Sequence, residues 1–329
     1  MTILVALALV TGAFLAAWVG AAAGGQWIVG VAVPYLAAAI FVTGLVVRVL
    51  GWARVPVPFR IPTTCGQQRA LAWIPGQRLE NPPDTRSVIG RMALEILCFR
   101  SLLRNTKTVL VDGRRVVYAT DLSLWLGAMV LHWAMLVVLV RHLRLVTTPV
   151  PAFVTFVERL DGFLEIGMPV LYVTSFALLA AATYLLVRRL TMPTVRYISL
   201  VGDYFPLFLL LGIAASGLWM RHLGPTDITS VKAMLLGLTS FQPVVLASVG
   251  PLFYGHLFLV SVLLAYFPFS KLVHAPGVFL SPTRNLANSN RARRHVNPWD
   301  YPVAVHTYDE YEDELRDKMI AAGLPVERQ

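Results

Sequence analysis

Residues 121–142 read DLSLWLGAMVLHWAMLVVLVRH. Asp121 opens the stretch, and the next formally charged side chain is Arg141. A bilayer hydrocarbon core of about 30 Å takes about 20 apolar residues of helix, so this stretch reads as a membrane span. Two histidines, His132 and His142, interrupt it. Residues 251–274, PLFYGHLFLVSVLLAYFPFSKLVH, form a second stretch of this kind, carrying His256 and His274. Ionisable side chains inside a membrane are costly and mark function by default, and imidazole is a common axial ligand of haem iron.

Working outward, six spans are expected at 3–23, 27–50, 121–142, 164–187, 200–221 and 251–272. The whole chain agrees with that reading. It has 329 residues, of which 57% are hydrophobic and 14% charged, against about 25% charged in an ordinary soluble domain. The mean hydropathy is +0.65. Residues 1–24 lack a positive leader, which favours a retained first helix over a cleaved signal. The net charge of +10 lies in loops between spans, so it reports topology and not nucleic acid binding. The basic loops are 52–118, 188–198 and 271–295. Placed inside, they put both termini in the cytoplasm of a multi-pass inner-membrane protein in contact with lipid. The expected fold class is an all-α integral membrane protein with a cytoplasmic loop and tail. Its segments are two N-terminal helices at 1–51, a basic loop at 52–120, a four-helix domain at 121–275 and a tail at 276–329.

Val88 to Asn105 reads as an amphipathic helix with a stripe of Ile89, Met92, Ile96, Phe99 and Leu103. Arg91, Glu95 and Arg104 lie elsewhere on it. Tyr308 to Met319 reads as an exposed helix. The two cysteines, Cys65 and Cys98, form no CxxC or CxxCH, which leaves covalent haem and a cysteine-held cluster unsupported.

His132 and His142 lie about 15 Å apart along one helix, and His256 and His274 about 27 Å apart if their span is one straight helix. The third and sixth spans run in opposite directions. His142 then matches His256 near the outer face, and His132 matches His274 nearer the inner face, which suits two bis-histidine haems. The unequal spacings do not fit two straight helices. Pro268 offers a bend, and His222 is a rival outer ligand. Asp161 and Glu165, expected at the outer start of the fourth span, are candidate acceptors of quinol protons. Helix-start anchoring is an equal reading for both.

The ten- and eighteen-residue histidine spacings resemble the cytochrome b (gamma) subunit of respiratory nitrate reductase. A wider resemblance rests on Ile61-Pro62-Thr63-Thr64-Cys65-Gly66, Gly90-Arg91-Met92-Ala93, Asp203-Tyr204-Phe205-Pro206, Ala265-Tyr266-Phe267-Pro268-Phe269-Ser270-Lys271 and His295-Val296-Asn297-Pro298-Trp299. These segments are similar to the DsrM family of membrane cytochromes. That resemblance implies two haem b groups and electron exchange with menaquinone or menaquinol. It implies a cytoplasmic iron–sulfur partner, DsrK, resembling heterodisulfide reductase, with DsrJ, DsrO and DsrP as further subunits in dissimilatory sulfur metabolism. The gamma-subunit pattern implies the same ligand pairs, His142 with His256 and His132 with His274. Other classes weighed are a cofactor-free anchor or assembly subunit, a cytochrome b serving another cytoplasmic reductase, and a transporter. The absence of an inverted repeat disfavours the last.

Overall fold

The computed structural model describes residues 1–55, 66–104, 106–164, 169–224, 226–288, 302 and 304–327. Glu165, Cys65 and His295 lie outside these. Six helices are long and apolar enough to cross a membrane, over Thr2–Ala22, Ile28–Ala53, Leu122–Leu145, Val173–Thr191, Val201–His222 and Pro251–Phe269. The chain forms two compact units, one of residues 1–47 with 89–280 and one of residues 48–88 with 281–329.

In the first unit α1 (Thr2–Ala22) and α2 (Val33–Ala53, after a π turn at Ile28–Ala32) precede α3 (Thr85–Cys98). A hairpin, β1 (Lys107–Val111) and β2 (Arg115–Ala119), leads to α4 (Leu122–His142). Then come α5 (Ala152–Asp161), α6 (Val173–Thr191), α7 (Pro193–Tyr197), α8 (Val201–His222), α9 (Ile228–Thr239), α10 (Pro251–Tyr266) and α11 (His274–Leu280). Small residues let α1 approach its neighbours closely, the usual packing device between membrane helices. Ala17 and Ala21, one turn apart, are buried with Phe253 and Tyr254 of α10. The ring of Phe14 occupies the space that a Cβ on Gly255 would need. A second core joins Leu131 and Ala134 of α4 to Leu178, Ala181 and Ala182 of α6.

Polar atoms at the helix ends set the register. Asp121 caps α4, accepting from the Leu124 amide at 3.0 Å. It also accepts from Arg188 at 2.6 Å, near the C-terminus of α6, so α4 and α6 run antiparallel. Pro206 cannot donate to Gly202, and the Tyr266 hydroxyl instead reaches that carbonyl at 3.4 Å. Asp203, in the first turn of α8, pairs with Lys271 at 2.6 Å.

Four expectations change. The fourth span starts at Val173 and not at 164. Tyr172 is extended at the N-cap, and Asp161 accepts from the Thr174 amide at 2.8 Å, which sets the helix start there. The sixth span is not one straight helix. Pro268 sits in a 3-10 turn at Phe267–Phe269, and Ser270 is extended and caps a second such turn at Lys271–Val273. His274 therefore begins α11 instead of ending α10. The amphipathic segment is α-helical over Thr85–Cys98 and continues, after Phe99, as a 3-10 helix over Arg100–Leu103; its buried line is Val88, Arg91 and Glu95, while Ile89 and Leu97 are exposed. Glu95 turns inward because its carboxylate accepts from the Ser101 amide at 3.0 Å and its hydroxyl at 2.6 Å. The basic loop also holds the β1–β2 hairpin, whose turn residues Asp112 and Gly113 both have positive φ, 52° and 65°. A type I′ turn requires that at both central positions.

In the second unit the tail helix α13 (Tyr308–Ala321) follows the short α12 (Pro282–Asn285). Thr307 and Glu310 form a reciprocal capping box at its start. The buried Asn288 donates to Asn81 at 2.7 Å and, through its amide, to the Pro82 carbonyl at 2.6 Å.

Candidate functional site

The four spanning-region histidines share one feature of chemistry. Nδ1 of His132 lies 2.8 Å from the Ala128 carbonyl, Nδ1 of His142 lies 2.7 Å from that of Val138, and Nδ1 of His274 lies 2.7 Å from that of Lys271. A carbonyl can only accept, so Nδ1 carries the hydrogen and Nε2 keeps its lone pair. The partner of His256 Nδ1 is the Ser216 hydroxyl at 2.9 Å. That hydroxyl spends its own proton on the Gly212 carbonyl at 2.7 Å, so it too accepts from Nδ1. All four rings thus present an unprotonated Nε2. None of them is sealed in the core: His132 and His256 are half-buried, and His142 and His274 are exposed.

His132 and His274 come together, with ring centroids 6.0 Å apart and planes at 74°. These two rings would be the ones to hold a haem iron between them, which would supply one-electron chemistry there. Phe99, at the turn after α3, stands edge-on to His132 at 4.9 Å. Trp125 and Trp133 of α4 donate to the Cys98 and Leu97 carbonyls at 2.8 and 3.2 Å, which ties the end of α3 to this site. His142 ends α4, and His256 lies in the second turn of α10. Gly217 leaves space beside His256, since a Cβ there would stand 3.4 Å from Cε1.

The Arg141 end of the bundle holds a polar cluster. Asp161 is buried, with one oxygen 2.8 Å from Arg141 Nε. Its carboxylate also accepts from the Thr174 amide and from the Thr174 hydroxyl at 2.6 Å. The guanidiniums of Arg141 and Arg221 lie over the Tyr172 ring at 3.9 and 4.2 Å. Arg221 donates to the Val170 carbonyl at 2.9 Å. His222 packs on Phe176 at 5.8 Å, and its Nε2 is buried without a hydrogen-bond partner. At the opposite end Asp121 receives the Ser123 hydroxyl and the Arg188 guanidinium. Against the opposing effect of burial, these bonds hold its carboxyl well below the usual carboxylate range. Among the described residues no group of three or more His, Cys, Asp or Glu side chains could hold a metal ion.

Sequence reasoning did not single out Ser216 or Tyr172. A buried serine in an apolar helix carries no spacing signal toward a histidine forty residues on. Tyr172 was read as part of a continuous span.

Six apolar helices long enough to cross a membrane, with His132 and His274 brought together, define a multi-pass membrane protein of the cytochrome type. The chain belongs to the nitrate reductase gamma subunit family, whose profile matches residues 117–294 and whose members are membrane cytochromes b. It is 45% identical over 280 residues to a protein of Archaeoglobus fulgidus named Hdr-like menaquinol oxidoreductase cytochrome b-like subunit, covering 83% of each chain. A protein of the same name from Archaeoglobus profundus is 41% identical over 278 residues, covering 82% of each.

Proposed function

We propose that this chain is the two-haem cytochrome b subunit of a menaquinol oxidoreductase, exchanging electrons between membrane menaquinol and a cytoplasmic iron–sulfur partner that resembles heterodisulfide reductase. The observation that carries this reading is the common state of the four histidines, each with Nδ1 bonded to the protein and Nε2 open. Such a bond on the second ring nitrogen fixes tautomer and orientation in metal-bound histidine. His132 with His274, and His142 with His256, are the proposed axial pairs. When bound, haem b supplies a one-electron carrier at each pair.

The chain's own residues do the rest. The basic loops set orientation, with the Asp121, Arg188 and Lys271 end inside, both termini cytoplasmic and the Arg141 end outside. The quinol site falls near the outer pair. Asp161 and Glu165 are the proposed acceptors of its protons. Both oxygens of Asp161 are already engaged, so accepting a proton means loosening Arg141 or Thr174. D161N separates the two roles. An acceptor role predicts haem retained and quinol oxidation slowed; an anchoring role predicts loss of haem and of thermal stability together. The loop at 52–120 and the tail at 276–329 are the proposed docking platform. In a complex of sulfur metabolism the partner is a DsrK-like subunit, with DsrJ, DsrO and DsrP beyond it.

The reading is tested by a reduced-minus-oxidised spectrum and a pyridine haemochrome count on the purified chain. Two b-type haems are expected. A folded preparation without haem overturns the proposal in favour of an anchor subunit.

A further inference from the structure

The turn after α3 has a backbone conformation that its residue disfavours. Phe99 has φ 46° and ψ 47°, the left-handed region that glycine enters freely and where a bulky side chain is an outlier. Several bonds hold it there. The last carbonyls of a helix lack partners within the helix, and those of Leu97 and Cys98 are taken by the indole N–H groups of Trp133 and Trp125 on α4. Past the turn, the Ser101 amide and hydroxyl both donate to the Glu95 carboxylate, which closes the chain around Phe99. The result is one contact: the half-buried Phe99 ring stands edge-on to His132, 4.9 Å away with the planes at 70°. The Nδ1 bond to the Ala128 carbonyl fixes one point of the His132 ring. A ring fixed at one point can still swing, and the Phe99 edge is the second point. Backbone strain of this kind persists only where the surroundings impose it, and it gathers at functional sites.

We infer that Phe99 is a positioning residue for His132: it limits the swing of that ring and, with its apolar body, keeps water from the His132–His274 pair. This rests on the two-haem reading above. The hydrophobic shell around a metal site controls solvent access and, with it, redox potential. Water let in beside the pair stabilises the more highly charged oxidised state, so opening this cover lowers the potential of that haem alone. Phe99 belongs to the segment 52–120 proposed for docking, so the same turn joins that segment to the pair.

The test is a potentiometric titration of the purified full chain, followed by optical and electron paramagnetic resonance spectra. The haem missing from H132A identifies the signal to watch. In F99A that haem moves downward, with about a tenfold change in its reduction equilibrium, or about 59 mV for one electron, and its ferric resonance shifts. The other haem keeps its potential and its resonance. F99L restores an apolar cover and recovers most of the potential. F99G separates ring from backbone: it shifts the potential as F99A does, yet melts at a higher temperature than F99A, because glycine accepts the left-handed conformation. W133F, which takes the donor from the Leu97 carbonyl, moves the same haem the same way by less. If F99A does not fold, W133F decides in its place, and no shift there overturns the inference. Selective loss of the His132-dependent haem from folded F99A, reversed in F99L, supports it; a loss that F99L does not reverse overturns it. So do unchanged potentials and spectra in F99A, an upward shift, equal shifts of both haems, or a shift confined to the haem that H132A retains. Absence of b-type haem from the wild-type chain is a separate outcome and overturns the parent reading instead.

Discussion

The two ends of the bundle hold their histidines by different means. At the Arg141 end, His142 and His256 sit in regular helices, and the surrounding charge is buried: the Arg141–Asp161 pair has side chains 8% and 2% exposed. At the Asp121 end, His274 follows a broken helix, and the pair beside it, Lys271–Asp203, leaves lysine 85% exposed. The first end gains rigidity from buried electrostatics. The second gains its geometry from backbone chemistry, Pro268 and Ser270, which folds the chain back toward His132.

The largest expected effect comes from the histidines proposed as haem ligands. On the proposed pairing, H256A and H132A each remove one haem. Loss of both haems from either variant would break the comparison. Next in size is R141M. Breaking a buried ion pair leaves an uncompensated charge and costs about 3 kcal/mol or more, read as a fall in thermal midpoint. K271M, at a largely exposed pair, costs about 1 kcal/mol or less and leaves haem content unchanged. If R141M and K271M prove equal, the two ends are not held differently.

A smaller and pH-dependent effect belongs to Asp121. Its folded carboxyl is held below the ordinary value of about 3.9, chiefly by the Ser123 hydroxyl. The stability this contributes is present above that pH and is lost as the pH falls through the folded value. The gap in thermal midpoint between wild type and D121N is therefore full at pH 7 and narrows below about pH 4. A constant gap across that range would show that Asp121 acts only through packing.

Much of the architecture was legible because hydropathy acts over lengths of about 20 residues. All six spans were readable in that way, and His132, His142 and His256 lie within them. Boundaries were less legible where a single residue decides them. The fourth span was placed nine residues early because hydropathy gives no sign of the helix start at Val173, which the Asp161 bond to Thr174 sets. The hairpin carried a signal in Asp112-Gly113 between β-branched runs, which the basic composition of the loop obscured. The unequal histidine spacings, about 15 and 27 Å on ideal helices, exposed a real break, and Pro268 marked its position. Ser216 had no signal at all, because only tertiary packing brings α8 to His256.

The most direct test of the central claim is the haem count of the purified chain by pyridine haemochrome, taken with its reduced-minus-oxidised spectrum. Two b-type haems per chain are expected, falling to one in H256A and to one in H132A. A folded chain with no haem, or with a haem content untouched by both substitutions, contradicts the account.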